Sequence, residues 1–203
     1  MNEPENTKGR GEGILRFLRL QTRGSVLRTI LGILIGVAAY ILLYQLVLPG
    51  YRLMSMITVQ FNLAILVIPV VAAFFGPLAG FLVGVLGSAG ADALFTQQII
   101  AFGLINVAYG LLGFVAGIPS YKKGFSSGRT LGKLILFTMC GLLVMAVVYL
   151  AALIVVAGQN LLPTLLYNFL PFISVSFITL FLMTPVTVRI IDALAGYARK
   201  KTL

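Results

Sequence analysis

Asp92 is the only acidic residue between Glu12 and Asp192, and it closes a stretch, FFGPLAGFLVGVLGSAGAD (residues 74–92), that is otherwise almost wholly apolar. A carboxylate there has three uses open to it: pairing with Arg52, meeting an amine or hydroxyl of a ligand, or capping the segment that follows. Asn62, Asn106, Tyr109, Tyr167 and Asn168 add neutral groups able to hydrogen-bond a small molecule. Tryptophan is absent, so Tyr109, Tyr167, Phe169 or Phe172 must supply any ring that stacks on a flat ligand. This is the chemistry of binding, not of catalysis. The chain has no histidine and one cysteine, Cys140, which excludes His-based general-base catalysis, His metal sites, Cys clusters and an internal disulfide. The nearest approach to a phosphate-binding loop, GFSSGRTLGKL (residues 124–134), has the wrong glycine spacing and Leu134 where Ser or Thr is required. No catalytic residue, metal or cofactor is therefore expected, and the chain does not read as an enzyme.

The elements that must carry these groups are membrane spans. Of the 203 residues, 60% are apolar and 10% charged, against about 25% charged in a soluble domain. Mean hydropathy is +1.06. The expected fold class is all-α, an integral membrane bundle of six transmembrane helices. The spans are residues 26–48, ending at Pro49-Gly50; 59–75, stopping at Gly76-Pro77; 77–94; 99–118, ending at Pro119; 131–157; and 163–188. No cleavable signal peptide is evident, because the first dozen residues are polar. The chain divides into a cytoplasmic N-terminal segment (1–24), a membrane domain (25–195) and a basic cytoplasmic tail (196–203).

Basic residues orient the bundle. Six lie before the first span or in its first turn, four (Lys122, Lys123, Arg129 and Lys133) lie between spans four and five or at the start of span five, and four follow span six, leaving Arg52 alone on the opposite side. The positive-inside rule then puts both termini in the cytoplasm, and the net charge of +10 reports topology, not nucleic-acid binding. In this topology Arg52, Asn62, Asp92, Asn106, Tyr109, Tyr167 and Asn168 all lie toward the outer side, with Asn62, Asn106, Tyr109 and Asn168 deepest. Tyr51–Thr58 is apolar enough to dip back as a lid. The basic amphipathic stretch ILRFLRLQTR (residues 14–23) is expected along the inner membrane surface.

Glycine spacing predicts how the helices pack. Gly76, Gly80, Gly84, Gly87 and Gly90 share one face of span three; Gly103, Asn106, Gly110, Gly113 and Gly117 share one face of span four. Small residues in this register let helix backbones approach closely. Gly32, Gly36 and Ala39 repeat the pattern in span one, where the face is free to bind another membrane protein.

The segment FNLAILVIPVVAAFFGPLAGFLVGVLGSAGAD (residues 61–92), with its Phe-Gly-Pro corner and the glycine-rich GPLAGFLVG, resembles spans two and three of the substrate-binding S components of energy-coupling factor (ECF) transporters. FGLINVAYGLLGFVAGI (residues 102–118) looks like the glycine-rich span that follows in that family. The likeness covers Phe61 to Ile118 in motif and the rest in layout. It implies a six-helix subunit of the prokaryotic cytoplasmic membrane that binds a water-soluble vitamin or related micronutrient from outside. Transport would need a transmembrane coupling protein and two ATPase subunits. The family docks on the coupling protein through small residues of the first span, a place taken here by Gly32 and Gly36 with Ala39. Its pocket lies at the outer ends of spans four to six under the first loop. With Arg52 the only outer base and Asp92 the only outer acid, a neutral or weakly charged ligand is favoured over a multiply anionic one.

Overall fold

The computed structural model describes residues 23–48, 52–53, 57–58, 61–96, 103–119, 121, 125–155 and 158–201. Except for Arg23, the amphipathic stretch 14–23 lies outside them, as do Tyr51, Gln60, Gln97, Gln98, Lys122 and Lys123. The described residues form a helical bundle: α1 (Arg23–Gln45), α2 (Val67–Phe75), α3 (Pro77–Ala91), α4 (Gly103–Gly117), α5 (Gly128–Val155) and α6 (Leu170–Lys201). A 3₁₀ turn, Leu63–Leu66, leads into α2, and wide π-helical turns extend α3 through Asp92–Thr96 and precede α6 at Thr164–Phe169.

Among the described residues, four helical runs are long and apolar enough to cross a membrane: Val26–Gln45, Pro77–Phe95, Gly128–Val155 and Leu161–Ala195. Leu63–Phe75 and Gly103–Gly117 are apolar but shorter. At 1.5 Å per residue they reach about 20 Å, against about 30 Å of hydrocarbon. Two boundaries move from those expected. The helix of α1 stops at Gln45, because Val47–Leu48 pairs in antiparallel register with Phe61–Asn62. Arg52–Leu53 pairs likewise with Ile57–Thr58, so the region expected to dip back as a lid holds a nested pair of two-residue ladders. At the other end of the chain α6 runs through Pro185 and on to Lys201, so residues 196–201 continue the helix.

The corner between α2 and α3 depends on one glycine. Gly76 sits at φ 101°, a conformation a Cβ would disfavour, and Pro77 then starts α3 with its φ already helical. The tight turn folds α3 back along α2 and α4. Up the α3–α4 contact, Pro77 meets Gly117, Gly80 meets Gly113, and Gly84 meets Tyr109 and Gly110 in antiparallel register. A Cβ at Gly80 would lie 2.6 Å from the Gly113 carbonyl oxygen, and one at Gly113 would strike the Gly80 carbonyl. The expected single face of α3 is in fact an arc shared by three neighbours, since Gly80 also meets Ala72 of α2. Gly87 and Gly90 meet Tyr40 and Ile41 of α1 instead of α4.

Tyr40, Ile68, Val83, Leu112, Met145 and Leu180 anchor the main core. A second cluster, with Val70, Tyr121, Phe125, Leu134 and Val188, closes the Gly76 end. There the Asp192 carboxylate accepts the Phe125 backbone N–H at 2.9 Å, and the Tyr121 hydroxyl donates to the Ala116 carbonyl at 2.8 Å.

Gly113→Ala should destabilise the purified protein by about 1–3 kcal/mol through overpacking against backbone that has no room to yield. Gly132→Ala, whose Cβ meets nothing within 4 Å, should be neutral or stabilise by up to about 1 kcal/mol. Thermal unfolding in detergent compares the two, and equal losses would remove the α3–α4 contact as the cause.

Candidate functional site

The end of the bundle opposite Gly76 collects polar and aromatic groups from five helices and the turn before α2. Two small assemblies meet there. The first is a cleft of about 20 Å³ lined by Asn62, Ile65, Tyr109, Phe172, Val175 and Ser176. That volume holds about one water, well below the roughly 300 Å³ of a small-molecule site. Asn62 enters it from the 3₁₀ turn, where its Oδ1 accepts the Ala64 N–H at 2.9 Å and so caps the turn. Tyr109 meets Phe172 edge to face at 6.3 Å, and Phe172 stacks on Tyr149 at 4.9 Å.

The second assembly surrounds Asp92. The carboxylate is half-buried where α3 widens into its π-helical turns. Such widened turns re-aim side chains and recur at functional sites. Asn106, 4% exposed on the glycine face of α4, donates a side-chain hydrogen bond to Asp92. A carboxylate accepts only, so the amide must turn its NH₂ toward it and its oxygen away. That oxygen, Asn106 Oδ1, has no donor among the described residues. Thr138, Thr179 and Thr184 hold buried hydroxyls in the same state. A helical threonine can rotate its hydroxyl onto a carbonyl one turn back, whereas an amide oxygen must be brought a donor.

Four tyrosines lie within electrostatic reach of Asp92: Tyr40, Tyr44, Tyr109 and Tyr149. Tyr40 is 1% exposed against Gly87, stacks on Tyr44 at 6.4 Å, and Tyr44 stacks on Phe95 at 5.8 Å. Tyr109 belongs to both assemblies and joins them.

Of the residues expected to bind a ligand, the fold thus brings Asn62 and Tyr109 to the cleft and Asp92 and Asn106 to each other. Arg52 lies in the inner ladder, its backbone opposite Thr58. Tyr167 and Asn168 do not join either group. Both are exposed on the π-helical turns before α6, Tyr167 by 55%, because those turns carry them to the outside of the bundle. Tyr40, Tyr44, Tyr149 and Ser176 were not anticipated. The i, i+4 spacing of Tyr40 and Tyr44 was a usable signal, since it sets both rings on one face of α1.

The small residues of α1 are also placed differently from the expected docking surface. A Cβ on Gly32 would lie 2.7 Å from the Phe75 ring, and one on Gly36 would lie 2.8 Å from Val83 and 2.9 Å from Val71. Ala39 packs against the same core. Both glycines are buried inside this chain, and the face α1 leaves exposed carries Leu27, Leu31, Leu34, Ile35 and Leu42. Close packing against α2 and α3 accounts for the glycines without a partner.

No protein-family model, curated protein or solved structure matches this chain. The chain is a membrane protein by the length and apolarity of four of its helices.

Gly36→Leu should lower the unfolding temperature of the isolated protein, because its side chain must displace Val71 and Val83. An unchanged unfolding temperature would return Gly36 to the docking surface.

Proposed function

We propose that this chain is the substrate-binding S component of an ECF-type importer, taking up a water-soluble vitamin or related micronutrient. In this reading the bundle makes six passes of the prokaryotic cytoplasmic membrane, with both termini in the cytoplasm and the Asp92 end outward. The two short helices cross together with the chain that flanks them. A separate coupling protein and two ATPase subunits supply the energy, and the chain itself catalyses no reaction.

One observation carries the reading. Asn62, Asp92, Asn106 and Tyr109, from three separate elements, gather at a single end of an otherwise apolar bundle. Polar groups at membrane depth are costly and mark ligand or ion pathways when they converge. The Phe-Gly-Pro corner and the glycine contact of α3 with α4 support it further, since they are the features on which the family resemblance rests. Docking on the coupling protein must use a surface other than Gly32 and Gly36. The cleft of about 20 Å³ corresponds to a closed state, and a vitamin requires the strand pairs at residues 47–62 and the outer helix ends to part.

Uptake by cells expressing the chain with a coupling protein and two ATPases should depend on ATP and vanish when the coupling protein is omitted. A vitamin panel in a thermal-shift assay should return one stabilising ligand. Uptake by this chain alone would instead make it a stand-alone secondary transporter. No stabilising ligand and no uptake would leave a membrane scaffold.

A further inference from the structure

The groups around Asp92 share one electrostatic character. Asp92 is the one acid at this end among the described residues, the face that its partner Asn106 turns away from it is an acceptor oxygen, and the neighbouring side chains include aromatic rings whose faces carry partial negative charge. Each alone has an ordinary structural use. Together they are complementary to a single kind of guest, one that is positively charged and carries N–H donors.

We propose that the Asp92 end of the bundle binds a small organic cation, an ammonium or amidinium, as the charged part of the transported molecule. In this arrangement the cation's N–H groups donate to Asp92 and to Asn106 Oδ1, and Tyr44 and Tyr40 flank its charge. The second acceptor matters because Asn106 is 4% exposed and its oxygen has no donor among the described residues. An unmet acceptor at that depth is costly, and a donor carried in by a ligand removes the penalty. In this arrangement the cation arrives past the half-buried Asp92 and Tyr44, beside Phe95, which is 40% exposed, with the buried Tyr40 one turn deeper on α1. Stacked rings on this path (Tyr44 and Phe95 lie within 7° of parallel) favour a weakly hydrated organic cation over a bare metal ion, which needs a full shell of oxygen ligands.

The proposal rests on the reading of the chain as a substrate-binding subunit and narrows its ligand class from neutral or weakly charged to cationic. The purified full chain in lipid nanodiscs is titrated with benzylammonium chloride, with benzyl alcohol, sodium benzoate and sodium chloride as parallel arms. The expected result is a saturable rise in unfolding temperature with benzylammonium alone. Asp92→Asn should weaken that binding about tenfold or more. Tyr44→Leu should weaken it by about two- to thirtyfold, whereas Tyr44→Phe keeps the aromatic face and leaves it unchanged. If Asp92→Asn does not fold, the Tyr44 pair decides alone. No saturable shift, an equal shift with benzyl alcohol or benzoate, a shift with sodium alone, or indifference to both Asp92→Asn and Tyr44→Leu overturns the proposal. Cation binding without coupling-dependent uptake would overturn the transporter reading and leave the site. Coupled uptake of an uncharged vitamin would do the reverse.

Discussion

The backbone-to-backbone contact between α3 and α4 is the constraint on which the rest of the bundle depends. In hydrocarbon, helices gain little from hiding apolar side chains, so close packing must hold them together. Here Gly80 against Gly113 leaves no room for a Cβ on either helix, and the Pro77 backbone leaves none for a Cβ on Gly117. That closeness sets the register of the two helices. Beyond Gly84 and Gly110 the same two helices bring Asn106 within hydrogen-bonding reach of Asp92, and Tyr109, one turn on along α4, lines the cleft. The corner at Gly76 makes this possible by reversing the chain within a single residue of positive φ.

Polar groups follow a division of labour between the two ends of the bundle. At the Gly76 end, Asp192 and Tyr121 are engaged with backbone groups, holding the segment before α5 against α6 and against the end of α4. At the Asp92 end, the hydrogen bond of Asn106 to Asp92 leaves an acceptor over, and the rings of Tyr40, Tyr44, Tyr109 and Tyr149 gather within reach. A network that is only partly satisfied is costly in a medium of low polarity. The coincidence of an unmet amide oxygen with a carboxylate, beside two helices that widen into π-helical turns, is the physical basis for the reading of that end as a binding site.

Much of the architecture was legible in the residues. Each apolar segment contains one helix, and the Gly-Pro pair at 76–77 marks the reversal. The spacing of Gly110, Gly113 and Gly117 marks the face of α4 that meets α3. The same spacing rule misled at α1, where Gly32 and Gly36 pack on Phe75, Val71 and Val83 instead of forming an outer surface. Periodicity identifies a face but not the neighbour that covers it. The site was legible in part, because Asp92 and Asn106 stand out as polar residues in apolar runs. Tyr40, Tyr44 and Tyr149 did not stand out, since a tyrosine in a membrane helix is ordinary until its ring is seen beside a carboxylate.

What the sequence determined by itself is the class of molecule: apolar runs poor in charge, basic residues grouped between them, and glycines at helical spacing suffice for a helical membrane bundle without histidine or cysteine chemistry. Those properties are local and additive along the chain. Only the tertiary structure decided that Asp92 pairs with Asn106 within electrostatic reach of four tyrosines, that Tyr167 and Asn168 stand apart, and that the α1 glycines are covered from within. Those outcomes depend on the register and rotation of each helix against its neighbours. They are set by contacts between residues far apart in sequence, which no local pattern encodes.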